Sequence, residues 1–209
     1  MDDAEFDRAL IAAAFQVAAE QGWRRLSVAS AARAGGLPLP RARERFPGRA
    51  AILVRFGRLV DQAALADATS EGPIRDRLFD LLMRRIDALQ SHRGGVLALL
   101  RALPSEPPVA LLLGLATRRS MRWMLEAAGV STAGVRGELR VRGLVAVWLW
   151  TVRAWRADES EDLAPTMAAL DTALRRAEQA AEWLGTRSRA SEPPAEQPPE
   201  PPPEDAAPA

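Results

Sequence analysis

The sequence predicts an all-α chain: a small N-terminal three-helix unit, a larger C-terminal helical bundle and a Pro-rich tail. Three observations carry that prediction. Apolar residues recur at three- and four-residue spacing along most of the chain and nowhere alternate as half-buried strands would. Gly and Pro fall between the periodic runs, where helices stop and start. Two of the runs, within 27–45, are short, lie on either side of Gly35-Gly36, and sit in a stretch dense in Arg.

The first helix carries Phe6, Leu10, Ala13, Ala14 and Val17 at helical spacing, and Gly22 marks its stop. Ser27 is an N-cap residue for a short helix reaching about Ala34, which Gly35-Gly36 breaks. A second short helix fits 38–45, with Pro40 tolerated only because it lies in the first turn. Pro47-Gly48 opens a longer helix with Ile52, Leu53, Phe56, Leu59 and Val60, fading near Ser70. Gly72-Pro73 begins the next, with Ile74, Leu78, Leu81, Leu82, Ile86 and Leu89 on one side. Residues 91–95 read as a turn before a short helix to about Leu103. A helix over about 109–128 follows the prolines at 104, 107 and 108, and 129–137 reads as a loop.

The last two helices are the most strongly patterned. The stretch at about 138–157 is apolar on much of its circumference, which calls for burial in the fold or under a partner. After the acidic run 158–162, where Ser160 can cap, Leu163, Met167, Leu170, Leu174, Ala177, Ala181 and Leu184 step alternately by 4 and 3. Such a stripe wants another helix against it. Packing within the chain would satisfy it, and so would a second copy. With the over-apolar preceding helix it suggests a dimeric four-helix bundle, with Trp148, Leu163, Met167, Leu170 and Leu174 at the interface. Trp183 is expected to anchor the end of the last helix.

Composition excludes much chemistry. All 28 basic residues are Arg, so no P-loop lysine or Schiff-base lysine exists. There is no Cys, hence no thiolate nucleophile, disulfide framework or zinc finger. His92 is the single histidine, too few for a multi-histidine metal site. No cofactor and no enzymatic role are expected. No run approaches the ~18 apolar residues of a membrane span. The acidic start, 1–5, is the opposite of a secretory signal, so a cytoplasmic location is expected.

The net charge of +1 conceals an uneven distribution. In the tail, 186–209, 8 of 24 residues are Pro and five acids face two Arg, a composition that cannot offset ordering entropy. Residues 24–58 hold nine Arg against Glu44 alone. A solvated face is one explanation; an anionic partner is the other. Two short helices about a Gly turn in that stretch have the spacing of a helix-turn-helix, whose second helix enters the major groove. Arg41 and Arg45 share a face with Arg43 beside them, and Arg either reads guanine bidentately or contacts phosphate.

At these residues the chain resembles a known family. Leu10-Ile11-Ala12-Ala13-Ala14, Glu20-Gln21-Gly22-Trp23, Ser27-Val28, Ala32, Gly36-Leu37, Phe46-Pro47-Gly48-Arg49 and Leu53 are similar to the N-terminal domain of TetR-type transcriptional regulators, over roughly 6–60. The resemblance implies a DNA-binding domain at 1–60 and a regulatory and dimerisation domain at 61–185, while composition makes 186–209 a disordered, partly polyproline tail. It implies an operator-binding homodimer released by a small, largely apolar effector. Ser27, Leu39, Arg41, Arg43, Arg45 and Arg49 would form the DNA-binding set, with Arg49 at the phosphate-contacting start of the fourth helix. His92, Arg118, Met121 and Trp123 would line the effector pocket, although each also reads as a surface, capping or packing residue. Leu39, Pro40 and Arg43 replace the family's usual Lys, Gly and aromatic residue, and Ala31 and Ala42 stand where larger aliphatics commonly pack.

A second resemblance runs through Gly22-Trp23, Phe46-Pro47-Gly48, His92-Arg93, Trp155, Asp158-Glu159-Ser160, Asp162, Thr166 and Leu170-Asp171. These look like the TetR-fold lipid-binding accessory proteins of ubiquinone biosynthesis, which implies lipid binding without DNA. That family's motif after Ser131-Thr132-Ala133-Gly134 is missing, as is its terminal amphipathic helix.

Overall fold

A computed structural model describes residues 1–66, 68 and 70–190, with side chains described as far as Ala181. Its described residues form nine α-helices and no strand. α1 is Asp3–Gln21, α2 Val28–Ala34, α3 Leu39–Arg45, α4 Arg49–Leu65, α5 Ile74–Gln90, α6 Arg93–Ala102, α7 Pro107–Ala127, α8 Gly134–Ala157 and α9 Ala164–Ala190. The Pro-rich segment from 191 lies outside the described residues, as do the side chains of Trp183 and Leu184. α9 itself continues past Gly185, where the tail was expected to begin.

Local chemistry explains most boundaries. Asp2 and Glu5 form a reciprocal capping box on α1, and Gly22 ends it at φ 85°. Ser27 caps α2 as expected, its oxygen accepting from the N–H of Ser30. Pro38 is the N-cap of α3 and Pro40 lies in its first turn, where no intrahelical N–H is lost. Three boundaries differ from expectation. Gly94 and Gly95 lie inside α6 instead of in a turn, and Gly137 lies inside α8 instead of in a loop. A Cβ on Gly95 would sit 2.3 Å from the Phe15 carbonyl oxygen, and one on Gly137 2.1 Å from the Thr132 carbonyl carbon. Close backbone approach, not turn formation, is why these positions are glycine. The cap of α9 is also reassigned: Asp158, not Ser160, accepts from the N–H and hydroxyl of Thr166 in the first turn, and from those of Ser160.

One apolar core runs from Phe6 to Leu174 without a break at residue 60, which falls inside α4. α8 and α9 pack along each other, and the stripe read as a dimer seam turns inward. Leu163, Leu170, Leu174 and Trp148 are buried within the single chain, and Met167 is half-buried. The reason is geometric. α8 carries its own inward seam at Val141, Leu144, Trp148, Thr151 and Trp155, so the two stripes satisfy each other without a second copy. What α8 leaves exposed is a different apolar set: Val135, Leu139, Leu149 and Trp150.

Candidate nucleic-acid interface

The N-terminal unit packs α2 against α1 and α3 against α2, on a core of Phe6, Leu10, Ala31, Ala42 and Phe46. Both alanines are buried, so small residues seat the helix pair closely on α1. That places the basic side chains of α3 over the start of α1, where two acids meet them. Arg41 donates to Asp3 at 2.6 Å and to the Met1 carbonyl at 3.2 Å, and its guanidinium lies 4.6 Å over the Phe6 ring. Arg45 donates to both oxygens of Asp7 at 2.6 and 2.9 Å, and pairs with Asp3 at 2.5 Å. Arg55 of α4 also pairs with Asp7.

Electrostatics follow from this clustering. The hydrogen bond from Arg41 holds the Asp3 carboxyl below its usual range. Partial burial pushes the Asp7 carboxyl up, but the Arg45 hydrogen bond and the Arg55 charge outweigh it, and the net shift is downward. The Asp7 hydrogen bond in turn raises Arg45.

The basic stretch therefore sorts into two groups. Arg41, Arg45 and Arg55 are engaged by Asp3 and Asp7, and Arg49 by Glu106 at 2.7 Å. Arg43 is exposed and, among the described residues, donates only to the Pro47 carbonyl, at 2.9 Å. Arg24, Arg25, Arg33 and Arg58 are exposed and make no ion pair or hydrogen bond to described residues. The cations available to an outside anion are thus largely not the ones spacing alone selected. Ser27 is likewise committed, since its hydroxyl both accepts from the Ser30 N–H and donates to the Ser30 oxygen at 3.1 Å. Leu39 is exposed at the start of α3, open to a contact.

The four residues expected around an effector are not brought together. His92 is the N-cap residue of α6, half-buried between the Phe15 and Phe56 rings at 5.6 and 5.5 Å, and burial lowers its pKa. Met121 is fully buried in the core, whereas Trp123 is 53% exposed on the opposite side of α7. Arg118 is exposed and pairs with Glu138 at 2.6 Å. None of them lines either of the two grooves described, one between α5 and α9 and one between Arg24, Arg49 and the residues 105–109.

Sequence reading missed the polar centre of the C-terminal helices. Arg85 of α5 is buried, ion-paired to Asp61 of α4, and lies 5.0 Å over the Trp148 ring. Ser120 of α7 donates to the same aspartate at 2.6 Å. Burial lowers Arg85 to about 10. The signal was present: position 85 falls on the inward stripe of Leu78, Leu81, Leu82, Ile86 and Leu89.

Superposed on a TetR transcriptional regulator from Nitrosomonas europaea ATCC 19718, the chain gives a TM-score of 0.68 at 22% identity, covering 84% of this chain and 99% of that one. The chain has the TetR-type regulator fold. A TetR-family transcriptional regulator from Streptomyces coelicolor gives a TM-score of 0.61 at 22% identity, with 92% of each chain covered. A TetR transcriptional regulator from Rhodococcus sp. RHA1 gives 0.57 at 17% identity, over 84% of this chain and 97% of that one. No protein-family model and no curated protein matches the sequence. Within the TetR-type fold, residues that carried the second resemblance are structural fastenings. Trp155 donates to Gln90 at 2.8 Å, and Arg93 stacks over Trp155 and donates to the Asp158 carbonyl at 2.6 Å. Asp158 holds the first turn of α9. Among the described residues no helix is long and apolar enough to cross a membrane.

Proposed function

We propose that this chain is a one-component transcriptional regulator that binds operator DNA as a homodimer. The observation that carries the reading is the excess of unpaired Arg on a TetR-type helix-turn-helix unit. Arg24, Arg25, Arg33, Arg43 and Arg58 all lie within that unit, have no carboxylate partner among the described residues, and can neutralise phosphate. Arg43, on the second short helix, is the best base-reading candidate, and Leu39 offers an apolar contact beside it. Arg41 and Arg45 orient that helix on α1 instead of gripping DNA. Arg49 is a phosphate candidate.

A second copy is supported by the exposed face of α8, where Val135, Leu139 and Trp150 stand at helical spacing with Ala146 between them. Release is assigned to a small, largely apolar effector within the regulatory helices. Met121 and Met124 of α7 are fully buried there and, being unbranched and adaptable, can make room.

The deciding experiment is binding of the purified protein to a labelled duplex of its own upstream region across a salt series. Log affinity should fall linearly with log salt, by about 0.9 for each phosphate neutralised. Absence of binding at low salt refutes the reading, and lipid co-purifying with the non-binding protein would favour the accessory-protein alternative.

A further inference from the structure

The start of α4 is held from outside its own unit. Arg49 is its first residue, and the Nη2 of Arg49 lies 2.7 Å from Oε2 of Glu106, which immediately precedes α7 in the regulatory half. The two partners differ in freedom. The Glu106 side chain is only 10% exposed and the Arg49 side chain 36%. Glu106 is fixed by its backbone: its N–H donates to the Leu103 carbonyl at 3.1 Å, its carbonyl accepts from Ala110 at 3.0 Å, and Pro107 follows. Arg49 instead ends a long, rotatable stem beside an open groove of about 420 Å³, whose lining also includes Arg24, unpaired among the described residues. Further along, Asp61 of the same helix is gripped by Arg85 and Ser120. α4 is thus tied to the regulatory helices at two points, one of them at a phosphate-contact candidate.

We propose that Glu106 is a built-in rival of DNA phosphate for Arg49, so that the α6–α7 junction sets how much of that charge DNA can use. The proposal rests on the DNA-binding reading above. A guanidinium paired with a carboxylate releases fewer counterions from DNA than a free one. If Arg49 leaves for a phosphate while the junction stays put, a nearly buried carboxylate loses its counter-charge, which is unfavourable. Engagement of Arg49 by DNA and withdrawal of the junction therefore favour each other. By linkage, whatever presses the junction onto α4 weakens DNA binding to the same degree. The contact is sequence-independent, so it acts on affinity for any duplex.

The test uses the full chain, a labelled duplex of fixed sequence and a salt series, comparing wild type, Glu106→Gln, Arg49→Gln and the double variant. Thermal unfolding checks that each is folded. Glu106→Gln should bind about five- to tenfold tighter near about 0.1 M salt, with a log–log slope steeper by about 0.9. In the Arg49→Gln background the same change should do nothing. Glu106→Asp, which withdraws the carboxylate by one methylene, should show a smaller gain and serves if the glutamine variant unfolds. Unchanged or weaker binding by both Glu106 variants overturns the proposal, as does an equal gain without Arg49, which would mark a general charge effect. Wild-type protein that fails to bind at low salt overturns the DNA-binding reading itself, and this inference with it.

Discussion

Arg43 and Arg41 sit two residues apart on α3 and have opposite fates. Arg43 points outward and donates to the Pro47 carbonyl, whereas Arg41 is drawn back to Asp3 and Phe6. Arg43→Ala should weaken operator binding by about 1–3 kcal/mol if it reads a base, measured by fluorescence anisotropy at constant salt. Arg41→Ala should instead show itself in thermal unfolding, through loosening of α3 on α1. The carboxyls make a separate prediction about acid. Asp3, Asp7 and Asp158 all have folded-state pKa values below the ordinary range, Asp158 at about 2 because its hydrogen bonds from Ser160 and Thr166 outweigh its burial. A carboxyl depressed on folding contributes stability that is complete above its unfolded pKa of about 4 and lost as pH falls through the folded value. Denaturation midpoints should therefore fall modestly below about pH 6.5, where the half-buried His92 resists protonation, and decline steeply between about pH 4 and pH 2 as the carboxyls titrate. Asp158→Ala should cost about 1–3 kcal/mol at neutral pH, because the first turn of α9 then loses a buried acceptor.

The helices themselves were legible where local chemistry decides their ends. Gly22, Ser27, Gly35-Gly36, Pro47-Gly48 and Gly72-Pro73 all mark observed boundaries. The reading failed at Gly95 and Gly137, because a glycine that permits close packing looks in sequence like one that permits a turn. Substitution separates the two roles. Gly95→Ala should destabilise the chain by about 1–3 kcal/mol through forced separation of α6 from α1. Gly114→Ala, inside α7 with nothing within 4 Å of the added carbon, should stabilise it by about 0.5–1 kcal/mol. Chemical denaturation of the two variants against wild type checks both signs.

At the scale of the molecule the seams of α8 and α9 exchange roles with what surrounds them. Charge placed at Leu170 should unfold the protomer, since that side chain is fully buried within one chain. Charge placed at Leu139 or Trp150, 50% and 51% exposed, should leave folding intact and yield monomers in sedimentation. A folded protein whose mass is unchanged by Leu139→Asp and Trp150→Glu together would overturn the proposed α8 interface. The buried Asp61–Arg85 pair and the Arg49–Glu106 contact join α4 to the C-terminal helices.

Periodicity, caps and breakers are local quantities, so the all-α class, most helix boundaries and the helix-turn-helix with its excess of Arg could be read from residue order alone. The partners of those Arg could not. Asp3, Asp7 and Glu106 lie outside the basic stretch, and only the packing of α3 on α1 and of α4 beside α7 brings them within ion-pair distance. The same holds for the inward stripe of α9, whose spacing is equally suited to a neighbour in the same chain or in another. Spacing states what a helix needs to cover. Which surface covers it, and which charges remain free for an outside anion, depends on contacts between residues far apart in sequence, and those exist only once the chain is folded.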